Sequence, residues 1–549
     1  MKDKLKRIIG LILAILLASA LILPSSGRSI SAETGSGDEQ TSAKTEFPAR
    51  YDPRELGLVT PVKNQQIYGT CWAFASASVM EGCALVRGYG EYDLSEYQLA
   101  YAMMHRLELE GDLAAGEGPE CKNASWLNGP YCAVFSSTLL RGWALRTEEE
   151  FPYSDIEQEL PADGISFDGC LYPDSCYAIL PTDTAAMKTF IKNNGGVYMN
   201  VCAASWTDPQ YGNIETGAVY LPSFNSKYRY IDHFIAIVGW DDEYSRDNFV
   251  ISPPGDGAWI IKNSWGTEYG DNGYFYLSYF DTVINDKNCA VSITVSPERY
   301  YDRIYQYDGG VGLRSVKNVT DVVINFSAAK NEAITGVRIK PVGMLDPYSF
   351  YSADWAFEPT DAKISVYKGV FGGESADDAC PIYTQEYRID YPDYQTVRFD
   401  REVQLDKDGD YYVTVTFDRP ICYALDCPVQ TLYYSYTNIA GGEPGETYIR
   451  TDTADGESKW DDTATIIAKT VPCSACVRVL VRDSELPAGD EANDEQPGGD
   501  NAEASAGQHI GIPGLCAIIC GVLLVIIIVI VIVKRKMGRK AAADINKQQ

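Results

Sequence analysis

The chain has 549 residues, 45% of them hydrophobic and 12% aromatic, with a net charge of −30. Both ends are basic, so the negative charge lies on the long middle, which excludes nucleic acid and anionic lipid as its partners. Three histidines against fifteen cysteines make candidate bases few and candidate thiols many.

At the N-terminus, Lys2, Lys4, Lys6 and Arg7 precede an apolar run from Ile8 to Leu23, followed by Pro24 and small residues. This pattern reads as a secretory signal peptide over residues 1–32, cleaved near Ala32. The alternative is an uncleaved anchor, for which the apolar run is short. Residues 33–46 are polar, rich in Gly and Ser, and cannot fold alone.

Cys71 stands in Gln65-Gln66-Ile67-Tyr68-Gly69-Thr70-Cys71-Trp72-Ala73-Phe74, at the head of an apolar, helix-like run to Val86. Free N–H groups at a helix start favour negative charge and so stabilise a thiolate. Gln65 can turn an amide N–H toward an oxyanion forming beside the sulfur. A lone cysteine is more often buried and inert, so its partners decide the reading. His105 lies in a polar helical stretch, and His509 follows an acidic linker. His233 opens the apolar run His233-Phe234-Ile235-Ala236-Ile237-Val238-Gly239-Trp240, a buried strand with the imidazole at its edge. A second apolar strand, Trp259-Ile260-Ile261-Lys262, ends in Asn263, whose side-chain oxygen can accept the imidazole N–H and fix the tautomer.

Further motifs extend this pattern: Pro48-Ala49-Arg50-Tyr51-Asp52-Pro53-Arg54, Leu94-Ser95-Glu96-Tyr97-Gln98-Leu99, Asp232-His233, and Lys262-Asn263-Ser264-Trp265-Gly266 followed by Tyr269-Gly270-Asp271-Asn272-Gly273-Tyr274-Phe275. From Phe47 to Val295 the chain resembles the papain-like cysteine peptidases. The resemblance implies Cys71 as nucleophile, paired as thiolate with the His233 imidazolium, which later protonates the leaving amine. Asn263 would orient His233, and Gln65 with the Cys71 N–H would form the oxyanion hole. Substrate contacts would fall on Gly69, Gly129, Asn200, Ile231, Asp232 and Trp265, with Trp265 also covering the Asn263–His233 hydrogen bond. No metal and no cofactor is required.

The chain also departs from that family. Gln66 and Tyr68 stand where glycine and cysteine are usual, so the disulfide that pins this loop is missing and packing of Tyr68 is expected to hold it. Asn128-Gly129-Pro130-Tyr131 is the nearest match to the segment that pairs with substrate backbone, yet Pro130 has no N–H to donate. Residues 33–46 are too short for a folded inhibitory prosegment. Any latency would come from a short peptide in the cleft, another protein, or the following domain.

Beyond the peptidase region the pattern changes to short apolar or alternating runs split by Gly, Pro and Asp, such as Val322–Phe326, Ile364–Tyr367 and Tyr411–Phe417. These predict an antiparallel β-sandwich. The tandem resembles bacterial surface peptidases that carry a C-terminal lectin-like domain. Asp406-Lys407-Asp408-Gly409-Asp410 is read as a hairpin turn rather than a calcium loop. Calcium is left open elsewhere in this domain, at no assigned residue. Close pairs such as Cys170–Cys176 and Cys422–Cys427 are candidate disulfides, while Cys422, Cys427, Cys473 and Cys476 form a less complete zinc pattern.

Residues 483–511 form an acidic linker, residues 512–533 an uncharged apolar run long enough to cross a bilayer, and residues 534–549 a basic cytoplasmic tail. The expected fold class is therefore α+β. It comprises a two-lobed papain-like domain over 47–295 (a helical lobe plus a β-barrel-like lobe), an all-β sandwich over 296–482, and a single transmembrane helix. The expected location is the cell membrane, single-pass with the catalytic part outside, in a Gram-positive-type bacterium. Expected partners are protein or peptide substrates, cell-surface glycans or wall proteins, and the membrane. The leading expectation is a membrane-anchored extracellular cysteine endopeptidase. The alternative is a surface adhesin or carbohydrate-binding protein whose peptidase domain serves only maturation.

Overall fold

In a computed structural model the chain is described over residues 47–484, apart from 110–113, 115–116, 122–126, 128–134, 229–230, 286–288, 310–313, 344–356, 375–379, 432–435, 440, 454 and 467–471. The signal peptide, the short prosegment and the basic tail expected from sequence lie outside those residues, as does nearly all of the acidic linker.

The helix Cys71–Val86 is buried at every position from Cys71 to Ala84. Its residues are apolar or small on all sides save Glu81, and a helix without a polar face belongs inside a core. It lies against the helix Thr184–Asn194, whose C-cap Gly195 adopts φ 80°. The two backbones touch there: a Cβ on Gly195 would stand 2.1 Å from the carbonyl carbon of Gly82. Only glycine allows both that turn and that approach.

Beside the long helix runs an eight-stranded sheet. Its path is Tyr172–Ile179, Ala290–Ser296, Val197–Val201, His233–Asp241, Ala258–Lys262, Tyr274–Ser278 and Ala218–Val219, with Arg50–Tyr51 added beside His233–Asp241. All neighbours are antiparallel except the last pair. One hydrophobic cluster surrounds the long helix through Trp72, Met80, Leu99 and Trp143. A second lies under the sheet through Met187, Ile235, Trp259 and Phe275.

The following domain packs a four-stranded sheet against a seven-stranded one. Val337, Val397, Val479 and Val481 from the first meet Val322, Ile324, Val413 and Val415 from the second, which is the core of a sandwich. Asp406–Asp410 is a turn, with the Gly409 N–H donating to the Asp406 carbonyl at 3.0 Å. It is not a hairpin, because the strands Gln395–Leu405 and Asp410–Asp426 belong to different sheets.

Two expectations need correction. Cys427 is bonded to Cys473, whereas Cys170, Cys176, Cys422 and Cys476 are free thiols. Extended chain separates the sequence neighbours: at about 3.3 Å per residue, four or five strand residues carry two cysteines beyond disulfide reach. No group of three or more His, Cys, Asp or Glu among the described residues is placed to hold a metal, which also removes the zinc pattern. The expected transmembrane helix does not stand either. No helix among the described residues is long and apolar enough to cross a membrane. The longest of them, Cys71–Val86, has 16 residues. It reaches only about 24 Å at about 1.5 Å per residue and is enclosed by the core of the N-terminal domain. The run 512–533 lies outside the described residues.

The two domains share a closely bonded boundary. Arg338 of the sandwich is fully buried and donates to the carbonyls of Leu140 and Pro173 in the N-terminal domain. Arg478 donates to both carboxylate oxygens of Asp308, at 2.9 and 2.8 Å, and lies over the Tyr394 ring. Tyr394 hydrogen-bonds the same carboxylate at 2.6 Å, and its carbonyl accepts from Cys176 N at 2.7 Å. The strand Tyr436–Ile439 pairs antiparallel with Gly118–Cys121, so one small sheet contains strands from both domains.

Candidate active site

Cys71 is the first residue of its helix and is 7% exposed. Its sulfur accepts the backbone N–H of Phe234 at 3.4 Å, which sets it beside the residue that follows His233. His233 begins the central strand of the sheet, and Asn263 follows the neighbouring strand Ala258–Lys262 directly. Strand pairing of Ala236 with Lys262 fixes their relative register. The His233 Nε2 and Asn263 Oδ1 atoms are 2.7 Å apart. That oxygen also accepts the Ser264 N–H at 2.8 Å, so two donors settle the amide orientation. The ring proton is thereby assigned to Nε2, which leaves Nδ1 as the basic nitrogen of the neutral imidazole.

Burial acts on both groups in the direction that disfavours charge. It pushes the Cys71 thiol up to about 11, against the lowering effect of the Phe234 and Trp72 N–H groups. It pushes the His233 imidazole down to about 4, partly offset by the Asn263 hydrogen bond. A lone charge on either residue is therefore costly. One proton moving from sulfur to ring creates both charges together, and each then supplies the other's counter-ion.

Aromatic rings enclose the histidine. Trp265 lies 5.0 Å from the His233 ring, tilted by 35°, and Trp206 approaches its edge at 6.4 Å. Trp206 in turn meets Trp265 at 6.1 Å and stacks on Phe275 at 5.1 Å. These rings keep water from the His233–Asn263 bond and lower the dielectric around it.

Gln65 is held at both ends of its amide. Ser264 Oγ donates to Oε1 at 2.7 Å, and Nε2 donates to the Tyr68 carbonyl at 2.8 Å. One of the two Nε2 protons remains available to a ligand. Gln66 takes φ 57°, a left-handed conformation that favours glycine, and its N–H donates to Asn64 Oδ1. Tyr68 is half-buried, its ring packed against the core beside Tyr153 at 6.2 Å, and its hydroxyl donates to Glu157 Oε1 at 2.8 Å.

Behind the site lies a buried charge cluster. Lys63 bonds Glu81 at 3.1 Å and Glu96 at 2.8 Å, and Lys262, next to Asn263, donates to Thr60 at 2.7 Å. It joins the long helix to the strand that delivers Asn263.

Of the expected substrate contacts, Gly69, two residues before Cys71, donates to the Leu127 carbonyl at 2.6 Å. Asn200 is buried on the strand opposite Phe234, and Ile231 is half-buried next to the Asp232-His233 pair. Asp232 accepts the N–H groups of Ala203 and Ala204 at 2.7 and 3.1 Å, so its carboxylate organises the turn that leads to Trp206. Gly129 lies outside the described residues. Sequence reasoning missed Trp206, Tyr153 and the Ser264 hydroxyl; only Ser264 lay in a quoted motif.

Residues 47–297 match the model for the papain family of cysteine proteases, and residues 304–480 match the model for the lectin like domain. Over 252 residues the chain is 28% identical to cysteine proteinase 1 of Dictyostelium discoideum, covering 46% of this chain and 65% of that protein. It is 25% identical over 256 residues to cathepsin L2 of Homo sapiens, with the same two coverages. The chain thus spans slightly less than two thirds of the length of these relatives. Among solved structures, the clostridial cysteine protease Cwp84 after propeptide cleavage aligns with a TM-score of 0.63 at 22% identity, covering 79% of this chain and 99% of that one. A crystal structure of the cysteine protease and lectin-like domains of Cwp84, a surface layer associated protein of Clostridium difficile, aligns with a TM-score of 0.61 at 21% identity, covering 80% of this chain and 90% of that one. These two likenesses concern the fold.

Proposed function

Starting from a chain that carries a papain family cysteine peptidase domain over residues 47–297 and a lectin-like domain over 304–480, we propose that it is a cysteine endopeptidase acting on exported or surface proteins outside the cytoplasm. The observation that carries this reading is the Asn263–His233 hydrogen bond, with the Cys71 sulfur bonded to the N–H of Phe234, the residue that follows His233. Cys71 loses its proton to His233 Nδ1 and attacks the substrate carbonyl carbon. The oxyanion is held by the free Gln65 Nε2 proton and the Cys71 N–H. His233 then protonates the leaving amine, and a water deprotonated by the same ring hydrolyses the acyl-enzyme. Trp265 and Gly69 border the substrate, while Asn200 and Ile231 lie near its non-primed side. The extracellular location rests on the basic-then-apolar N-terminal run.

The test uses purified chain under reducing conditions. It is expected to hydrolyse a generic peptide and to be labelled at Cys71 by a thiol-directed epoxide, with Cys71→Ala abolishing both. Undiminished hydrolysis by Cys71→Ala would overturn the reading. A second reading, a glycan-binding surface protein whose peptidase serves maturation, draws on the lectin-like match. It predicts that cell adherence survives Cys71→Ala and is lost when the sandwich is disrupted.

A further inference from the structure

We infer that Tyr153 is a positioning residue for the oxyanion pocket, its hydroxyl clasping together the two ends of the loop that precedes Cys71. The inference rests on the peptidase reading above and adds to it a residue outside every motif that supports that reading.

Tyr153 starts a single turn, Tyr153–Asp155, and is buried. Its hydroxyl donates to the Gln65 carbonyl at 2.9 Å and lies 2.6 Å from the Thr70 hydroxyl. The proton count assigns both bonds. A carbonyl has no hydrogen to give, so the tyrosine proton goes to Gln65 and the threonine donates to the tyrosine oxygen. Residues 65 and 70 bracket the loop. The side chain of the first supplies one oxyanion donor, and the residue after the second supplies the other.

Two further observations set this apart from an ordinary core tyrosine. Thr70 is the N-cap of the Cys71–Val86 helix, yet makes no side-chain cap. Threonine there normally accepts an N–H from the first turn; here its hydroxyl is engaged by Tyr153. The loop also lacks a covalent tie, since Tyr68 occupies the position where a cysteine could form one and faces Glu157 instead. The Tyr153 ring is held edge-on by Phe74 at 4.8 Å and by Tyr68 at 6.2 Å, and its N–H donates to Glu148 at 2.7 Å. The hydroxyl has little freedom to leave.

The experiment compares full-length wild type with Tyr153→Phe, Thr70→Val and Thr70→Ser. It measures kcat and KM on a peptide, affinity for a peptide aldehyde that generates an oxyanion, and the rate of Cys71 alkylation by iodoacetamide, which generates none. Losing a whole oxyanion donor costs about 100- to 1,000-fold, so a loosened one is expected to cost about tenfold. Tyr153→Phe and Thr70→Val should lower kcat and aldehyde affinity by about tenfold, with KM and alkylation within about threefold of wild type. Thr70→Ser keeps the hydroxyl and should restore kcat. Unchanged kcat and aldehyde affinity in folded variants would overturn the inference, as would an equal fall in alkylation and hydrolysis. Failure of both Tyr153→Phe and Thr70→Val to fold would also overturn it, by making Tyr153 a stability residue. An inactive wild type, or an active Cys71→Ala, refutes instead the peptidase reading beneath it.

Discussion

His233 and Asn263 are joined by a 2.7 Å hydrogen bond that spans two adjacent strands of one sheet. Strand register, rather than loop contacts, therefore sets the imidazole orientation. A hydrogen bond to a group that becomes charged is worth about 1.5–3 kcal/mol. Asn263→Ala is expected to lower kcat/KM by about 10- to 100-fold while Cys71 still reacts with the epoxide. Steady-state kinetics beside mass spectrometry of the labelled protein checks both halves.

Removing the imidazole should expose what burial does to the sulfur. In wild type the proton has a nearby acceptor, so alkylation is expected to begin well below neutral pH. In His233→Ala only desolvation and backbone N–H groups remain, and desolvation pushes the thiol up to about 11. The thiolate is the charged form, so a raised pKa means a smaller thiolate fraction at neutral pH. The alkylation profile of the variant should move to alkaline pH by several units. Superimposable profiles would refute the proposed pair.

Gln66 supplies a stability prediction. A non-glycine residue at φ 57° costs about 1 kcal/mol or more relative to a backbone with no Cβ. Its N–H bond to Asn64 needs no side chain of its own. Gln66→Gly is expected to raise stability toward urea by about 0.5–1 kcal/mol, the gain being reduced by glycine's freedom in the unfolded chain. Denaturant titration at constant m-value measures it.

The buried Arg478–Asp308 pair predicts the opposite sign. Asp308→Ala leaves a fully buried guanidinium without its carboxylate, a change that costs about 3–5 kcal/mol. Tyr394 loses its partner at the same time, and its carbonyl is bonded to the peptidase domain. The denaturation midpoint should fall, and peptidase activity should disappear in the same transition as sandwich fluorescence. Two separate transitions would count against a single cooperative unit.

The proposed catalytic residues stand out in the sequence because each lies at one end of a long apolar run: Cys71 at the first position of a helix, His233 at the start of a strand, Asn263 after one. Such runs announce themselves by length and periodicity. Tyr153 and Trp206 were not legible, since the first opens a three-residue turn and the second follows one, and their neighbours in space are distant in sequence. The missing glycine at Gln66 was visible as a departure, and its backbone angle shows why glycine suits that position. Disulfide pairing followed strand geometry instead of proximity in sequence, so Cys427 found Cys473 across 46 residues. The turn at Asp406–Asp410 was recognised, but nothing local says that the chain changes sheets there.

The strand pair Gly118–Cys121 with Tyr436–Ile439 bears on how this protein can be cut. A protease nicking the chain between residues 297 and 304 would not release two tidy globules. Each fragment would carry a bared ribbon of amide and carbonyl groups, ready to zip onto any other strand it met. The halves are held as a dovetail joint holds two boards, and prising them apart trades one folded body for a pair of aggregation-prone pieces.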